Sequence, residues 1–213
     1  MDRSDKGILV VVSGFAGTGK GTLMKSLIRE YEGYALSVSM TTRQPRQGEA
    51  HGREYFFVTR EEFEEKIAQQ GLLEYACYCD NYYGTPREYV EACLAGGKDV
   101  ILEIELQGAL KIKKQYPEAL LLFVMPPSAA ELYRRLLGRG TESEEVIRKR
   151  LLRALDEARG IENYDYIVIN DDLQTCVKQM HHMIRAARNT PARNMEFIED
   201  VRQQLDDLLK GEK

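Results

Sequence analysis

The longest uninterrupted apolar run in the sequence, Ala119 to Met125, has seven residues, whereas a membrane-spanning helix needs about 18 or more. No transmembrane segment is predicted, and no membrane partner. Cysteine is scarce: Cys77, Cys79, Cys93 and Cys176 have neither CxxC spacing nor the density of a disulfide scaffold, which fits a reducing cytosol and a cytoplasmic protein. Cys77 and Cys79 would share one face of a strand and read as core residues. Excess positive charge is also missing. Thirty Lys plus Arg against 34 Asp plus Glu give a net charge of −4, which excludes a general nucleic-acid coat because such binding runs on a positive field. Any anionic ligand must then be met by local basic clusters. His181 and His182 are adjacent, so on a helix they point about 100° apart and form no i, i+4 ligand pair; they read as partly exposed. The charged start, Met1 to Lys6, leads through a short apolar stretch into a glycine-rich loop rather than a cleavage site, so no secretory signal is read. No internal repeat or low-complexity tract occurs.

With 213 residues, 43% hydrophobic and 30% charged, the chain suits one folding unit with a packed core. Short β-rich runs at Ile8–Val12, Ala35–Ser39, Val100–Glu105, Leu120–Met125 and Tyr166–Ile169 alternate with longer helical patterns. This predicts a parallel sheet covered on both faces. Helix starts are marked by Thr59 with Glu62, by Ser128 with Glu131, and by Thr190 before Pro191. Two stretches break the alternation and read as inserted lobes: residues 40–98, rich in Arg, Tyr and Gly, and residues 138–158, dense in Arg and Glu. The core is then 1–39, 99–137 and 159–213. Beyond about Arg188, residues 189–213 form another amphipathic helical pattern, for docking on this core or on a second subunit.

The first stretch with a mechanism is Gly14-Phe15-Ala16-Gly17-Thr18-Gly19-Lys20, directly after an apolar strand and before the helical run from Gly21. That context is what a phosphate loop requires. Glycines let successive backbone N–H groups turn inward onto phosphate oxygens, the helix N-terminus adds its positive dipole end, and Lys20 reaches the outer phosphates. Gly21 follows the lysine and Thr22 comes one later, so the hydroxyl that usually touches Mg²⁺ is displaced, and nucleotide oxygens and water hold the metal. Such a loop serves NTPase switches, motors and kinases alike. The second substrate is signalled by Arg43 and Arg46, three residues apart, whose planar forks suit a phosphate. Tyr55 and Tyr83 lie nearby in sequence, with phenolic O–H groups able to donate to the same anion.

These stretches together resemble the guanylate kinase family over nearly the whole chain. The resemblance rests on the loop Gly14–Lys20, the run from Ser37 to Glu49, Glu54-Tyr55-Phe56-Phe57-Val58, Asn81-Tyr82-Tyr83-Gly84-Thr85, Gln107-Gly108, Pro126-Pro127-Ser128, Arg139-Gly140-Thr141, Arg148-Lys149-Arg150-Leu151 and Val168-Ile169-Asn170-Asp171-Asp172. It implies an α/β P-loop kinase fold: a five-stranded parallel core of strand order 2-3-1-4-5, an inserted GMP-binding lobe and a mobile lid. It implies transfer of the γ-phosphoryl group of ATP to GMP, and to dGMP, with Mg²⁺, in purine nucleotide metabolism. Arg43, Arg46, Tyr55 and Tyr83 would grip the GMP phosphate; Ser39, Glu74, Thr85 and Glu105 would surround guanine. Lys20, Gly21, Thr22, Arg139 and Arg150 would meet the ATP phosphates, and Asn170 would lie near adenine. Arg135, Arg148 and Arg153 read as surface or lid-packing residues.

The chemistry of the base supports Glu74 independently. Guanine presents N1–H and a 2-amino group side by side and one carboxylate accepts from both, whereas adenine turns a lone pair toward that edge. Glu103 and Glu105 fall at i, i+2 of one predicted strand and would share a face near its carboxyl end, where open α/β sheets bind ligands. The family has aspartates at both places. Glu103 would lie near Mg²⁺, through water. Three other readings compete. A sugar-phosphate kinase would have little use for Glu74 and Thr85. A GTPase switch is faintly suggested by Glu105-Leu106-Gln107-Gly108, but no NKxD stretch occurs. A non-catalytic phosphopeptide-binding module would not need Lys20, Arg139 and Arg150.

Overall fold

The computed structural model describes residues 6–78, 80–138 and 144–211. Cys79, Arg139 and Thr141 lie outside the described residues. The elements in chain order are β1 (Leu9–Gly14), α1 (Lys20–Glu30), β2 (Tyr34–Leu36), β3 (Ser39–Thr41), β4 (Tyr55–Phe57), α2 (Arg60–Ala68), β5 (Leu72–Tyr78), β6 (Asn81–Pro86), α3 (Arg87–Ala95), β7 (Asp99–Glu103), α4 (Leu106–Gln115), β8 (Leu120–Met125), α5 (Ala129–Leu137), α6 (Glu144–Ala158), β9 (Tyr166–Ile169), α7 (Leu173–Ala187) and α8 (Met195–Gly211).

Five strands form a parallel sheet in the order β2-β7-β1-β8-β9. Numbered by their own succession, that is the expected 2-3-1-4-5. Period-2 geometry explains why the central strand is apolar from Leu9 to Val12. Ile8, Val10 and Val12 face a core with Leu23, Leu27, Val177 and Met180 from α1 and α7. Leu9 and Val11 face the opposite core with Val90, Leu94, Ala109 and Ile112 from α3 and α4. Each fully buried aliphatic contributes about 1.5–3 kcal/mol, so β1 anchors both layers. The strand order reverses beside β1, which opens a crevice at its carboxyl end.

A second sheet, β4-β3-β6-β5, mixes parallel and antiparallel pairs and rests on a small core of Met40, Phe63 and Leu72. The Thr59 side chain accepts from the Glu62 N–H while the Glu62 carboxylate accepts from the Thr59 N–H, a complete capping box for α2. At α5 the box is half formed. Ser128 accepts from the Glu131 N–H, but the Glu131 carboxylate turns to Arg134 and Arg135. Thr190 opens a 3₁₀ turn, Pro191–Asn194, before α8 begins. That helix packs against this turn and leaves Phe197, Leu205, Leu208 and Leu209 exposed.

Three sequence expectations are corrected. The run Ala35–Ser39 is divided: β2 ends at Leu36 in the parallel sheet, and Ser39 begins β3 of the second sheet. β7 ends at Glu103, and Glu105 is the N-cap of α4. The period-2 pattern continues in the sequence while the chain turns. Cys77 is exposed rather than core, because β5 shifts register between Leu72 and Tyr75 and then runs beyond the hydrophobic cluster.

Candidate active site

At the carboxyl end of β1 the chain turns at Gly14, where φ is +152° and any Cβ would stand 2.2 Å from the Val124 carbonyl oxygen. Gly19 has φ of +83°, and a Cβ there would meet the Asn170 Nδ2 at 2.8 Å. Both positions exclude side chains. Gly19 is the N-cap of α1 and supplies no side-chain cap, and the first turn holds no acidic residue. The backbone donors of that turn and its dipole are therefore available to an anion. Lys20 Nζ donates to the Gly14 and Phe15 carbonyls at 2.7 and 3.1 Å, which holds the ammonium over the loop. Thr18 is buried and its hydroxyl donates to the Phe15 carbonyl.

The side chain of Asn170, expected beside adenine, lies against the phosphate loop. Its Nδ2 donates to the Thr18 carbonyl at 2.7 Å, its N–H to the Met125 carbonyl at 2.7 Å, and its own carbonyl accepts from Arg135 at 2.9 Å. The end of β9 thus braces the loop. The Arg135 fork is shared between Glu131 and Asn170, a more specific post than the surface role expected for it.

The loop faces a cleft of about 570 Å³ lined by Lys20, Ser39, Tyr55, Glu103, Glu105 and Arg150, and also by Ser37, Arg153 and Glu157. Arg153, expected on the surface or within the lid, is exposed on α6; it also lines this cleft and pairs with both Glu105 and Glu157. The signal was present in the sequence: Arg150, Arg153 and Glu157 recur at i, i+3 and i+7, one face of a helix. Burial pushes the Glu103 carboxyl above the usual range while Lys20 and Lys25 draw it back. Ser37 Oγ is buried without a hydrogen-bond partner among the described residues, and sequence reasoning missed it.

The second sheet brings the acceptor-side residues together by register. Ser39 pairs with Tyr55 and Thr41 with Tyr83. Between the rings of Tyr55 and Tyr83, 6.0 Å apart, and the Arg43 guanidinium, 5.4 Å above Tyr55, a compact basic and phenolic cluster forms. Arg43 Nη2 donates to both Glu49 oxygens at 3.0 Å. Glu49 also accepts from the Arg46 N–H at 2.8 Å, and this bond, followed by Arg43, holds its carboxyl below the usual range. Arg46 itself is exposed. Deeper in the lobe, Thr85 is buried and donates to Glu74 Oε1 at 2.8 Å. Burial raises the Glu74 carboxyl, opposed by Thr85 and Lys111.

Among the described residues no group of three or more His, Cys, Asp or Glu could hold a metal on its own. Glu103 offers a hard oxygen donor in the cleft, and Thr22 is exposed at the start of α1. Gly21 has open space where its side chain would be. Such a sparse oxygen set fits Mg²⁺ only as the partner of a bound polyphosphate, which supplies the remaining ligands.

Comparison with known proteins gives a consistent result. The sequence model of the family described as Guanylate kinase matches residues 6–187. The chain is 47% identical over 184 residues to a guanylate kinase of Latilactobacillus sakei, covering 86% of this chain and 91% of that one. It is 48% identical over 193 residues to one of Clostridioides difficile, covering 91% and 94%. Among solved structures, a guanylate kinase from Anaplasma phagocytophilum superposes with a TM-score of 0.71 at 33% identity, covering 88% and 89% of the two chains.

Proposed function

This chain belongs to the guanylate kinase family and is an ATP:GMP phosphotransferase, and from that premise we propose which residues carry each part of the reaction. The donor side is the loop Gly14–Gly19 with Lys20, Gly21 and Thr22. Its N–H groups cradle the ATP phosphates, and Lys20 follows the migrating group. Arg150 from α6 joins it, as does Arg139, outside the described residues. The acceptor side is Arg43, Arg46, Tyr55 and Tyr83 on the GMP phosphate, with Ser39, Glu74, Thr85 and Glu105 around guanine. Asn170 lies near adenine on the donor side, and its amide braces Thr18.

No general base is required. A phosphate monoester has its second pKa near 6 and already presents an anionic oxygen at neutral pH. What remains is alignment of two phosphates in line and neutralisation of charge in a loose transition state, the work of Lys20, Arg43 and the lid arginines. Glu103 and Thr22 would hold Mg²⁺, which when bound to ATP spreads negative charge away from the transferring group. The pieces 1–39, 99–137 and 159–213 act as the core, on which the lobe 40–98 and the lid 138–158 close to exclude water. The grip addresses base and phosphate, so dGMP is an acceptor too. The cytoplasmic pool of purine nucleotides is the setting.

The observation that carries this division is that one cleft joins Lys20 and Arg150 to Ser39, Tyr55 and Glu105, so donor and acceptor groups face the same space. A coupled ADP-release assay across GMP, dGMP, AMP, UMP and sugar phosphates tests it. AMP should be at least about a hundredfold poorer than GMP in kcat/KM, a difference near 2.7 kcal/mol. Equal activity on AMP would remove Glu74 and Thr85 as readers of the base.

A further inference from the structure

Glu74 is packed by groups of opposite sign from several elements. From β6, Thr85 donates to Oε1. From α4, the first turn comes close because position 108 is glycine: a Cβ there would stand 3.3 Å from Oε2. Lys111 follows Gly108 by three residues and so lies on the same helix face. Together with Glu74 it lines a cavity of about 410 Å³ between the second sheet and α4. Arg87, at the start of α3, lines that cavity too, but its guanidinium is engaged by the carbonyls of Gln70 and Leu72 and the Tyr116 hydroxyl. Lys111 has no hydrogen-bond or ion-pair partner among the described residues. Glu105, the N-cap of α4, adds negative charge and is itself paired with Arg153. Burial and Glu105 favour the neutral Glu74 carboxyl; Thr85 and Lys111 favour the carboxylate.

We propose that Lys111 is a positioning residue for guanine recognition, its ammonium facing the Glu74 carboxylate across the side-chain-free surface of Gly108 and keeping it an acceptor for both guanine donors. The proposal rests on the reading of Glu74 as the guanine reader. A protonated Glu74 keeps one carbonyl oxygen and turns an O–H toward the second donor, so it holds N1–H or the 2-amino group but not both. A cation nearby opposes that protonation. Its removal must therefore move the acid loss of GMP affinity to higher pH.

The test is calorimetric titration of GMP, of AMP and of IMP, which lacks the 2-amino group, between pH 8 and pH 5. The proteins are the parent chain, Lys111→Met, Lys111→Arg and Glu74→Gln, each also measured for ATP affinity and melting temperature. For Lys111→Met the GMP affinity should match the parent near pH 8 and fall about three- to fivefold below it in acid, the size expected for one charge acting through a partly solvated gap. The deficit should be smaller for IMP, and Lys111→Arg should restore the parent profile. ATP affinity should not move. Titration of the GMP phosphate is common to every arm and cancels, and repeating the pair in a Glu105→Gln background removes the second carboxylate. If Glu74→Gln leaves the preference for GMP over AMP intact, the underlying reading of Glu74 fails. If Glu74→Gln destroys that preference while Lys111→Met leaves the acid limb in place, the proposal for Lys111 is overturned and the reading of Glu74 stands.

Discussion

Lys20 donates to two loop carbonyls and also lines the cleft, so in the proposed reaction its ammonium would exchange those carbonyls for phosphate oxygens without a large movement. Replacing it by Met keeps the length and removes the charge. Turnover should fall by about 10² or more while GMP still binds; near-normal turnover would place catalysis elsewhere. Arg43 presents a different case: one arm of its guanidinium, Nη2, donates to both oxygens of Glu49 and the other, Nη1, to the Gln44 carbonyl. A phosphate offers oxygens that both arms of the fork can hold at once. Arg43→Lys keeps the charge but loses the fork, with an expected loss of about 2–4 kcal/mol in transition-state stabilisation. The melting temperature without nucleotide should hardly change, since a partly exposed ion pair contributes about 1 kcal/mol or less. A melting temperature that fell in step with activity would make Arg43 a structural residue. Arg43, Tyr55 and Tyr83 were legible as a set because they are residue types that bind anions. Ser37 and Lys111 were not, because a serine and a surface lysine acquire meaning only from what the fold sets beside them.

At the scale of elements, the bond from Asn170 to Thr18 ties the end of β9 to the phosphate loop across 152 positions of sequence. Removing the amide leaves a buried carbonyl without a donor, which costs about 1–3 kcal/mol. Asn170→Ala should therefore lower the melting temperature and raise the KM for ATP severalfold, with the KM for GMP nearly unchanged. Asn170→Asp, which sets an anion against that carbonyl, should be worse than Ala. Equal ATP affinity in all three proteins would mean that the loop holds its shape unaided. The core strands could be read from apolar runs: β7, β1 and β8 are buried along nearly their whole length and need no alternation, while the edge strand β9 keeps the run Tyr166–Ile169 although only Val168 is buried. The end of β7 could not, because Glu103 and Glu105 alternate correctly whether or not the chain turns between them. Likewise β5 carries its apolar residues past a register shift that no local pattern announces.

For the whole molecule, the cleft is bordered by three parts of the chain: the core through Lys20 and Glu103, the second sheet through Ser39 and Tyr55, and α6 through Arg150 and Arg153. The alternation of strands and helices made the core predictable, and the two interruptions of that alternation hold the second sheet and α6, both of which border the cleft. The relative placing of the parts lies in contacts such as Arg153 with Glu105, which no spacing in the sequence announces. If lobe and lid close on both nucleotides, each ligand orders groups that the other also uses, and the second to bind meets a partly assembled site. Binding free energies are then coupled, and the coupling must be equal in both directions. GMP titrated into the protein saturated with a non-hydrolysable ATP analogue and Mg²⁺ should bind more tightly than to the free protein by about 5- to 150-fold. The analogue should gain the same factor when GMP is already present. Arg153→Gln, which unties α6 from the α4 N-cap, should change this factor more than it changes either affinity alone. A factor of one in both directions would mean that the two sites are filled independently on a rigid scaffold, and closure would no longer explain how water is kept from the γ-phosphoryl group.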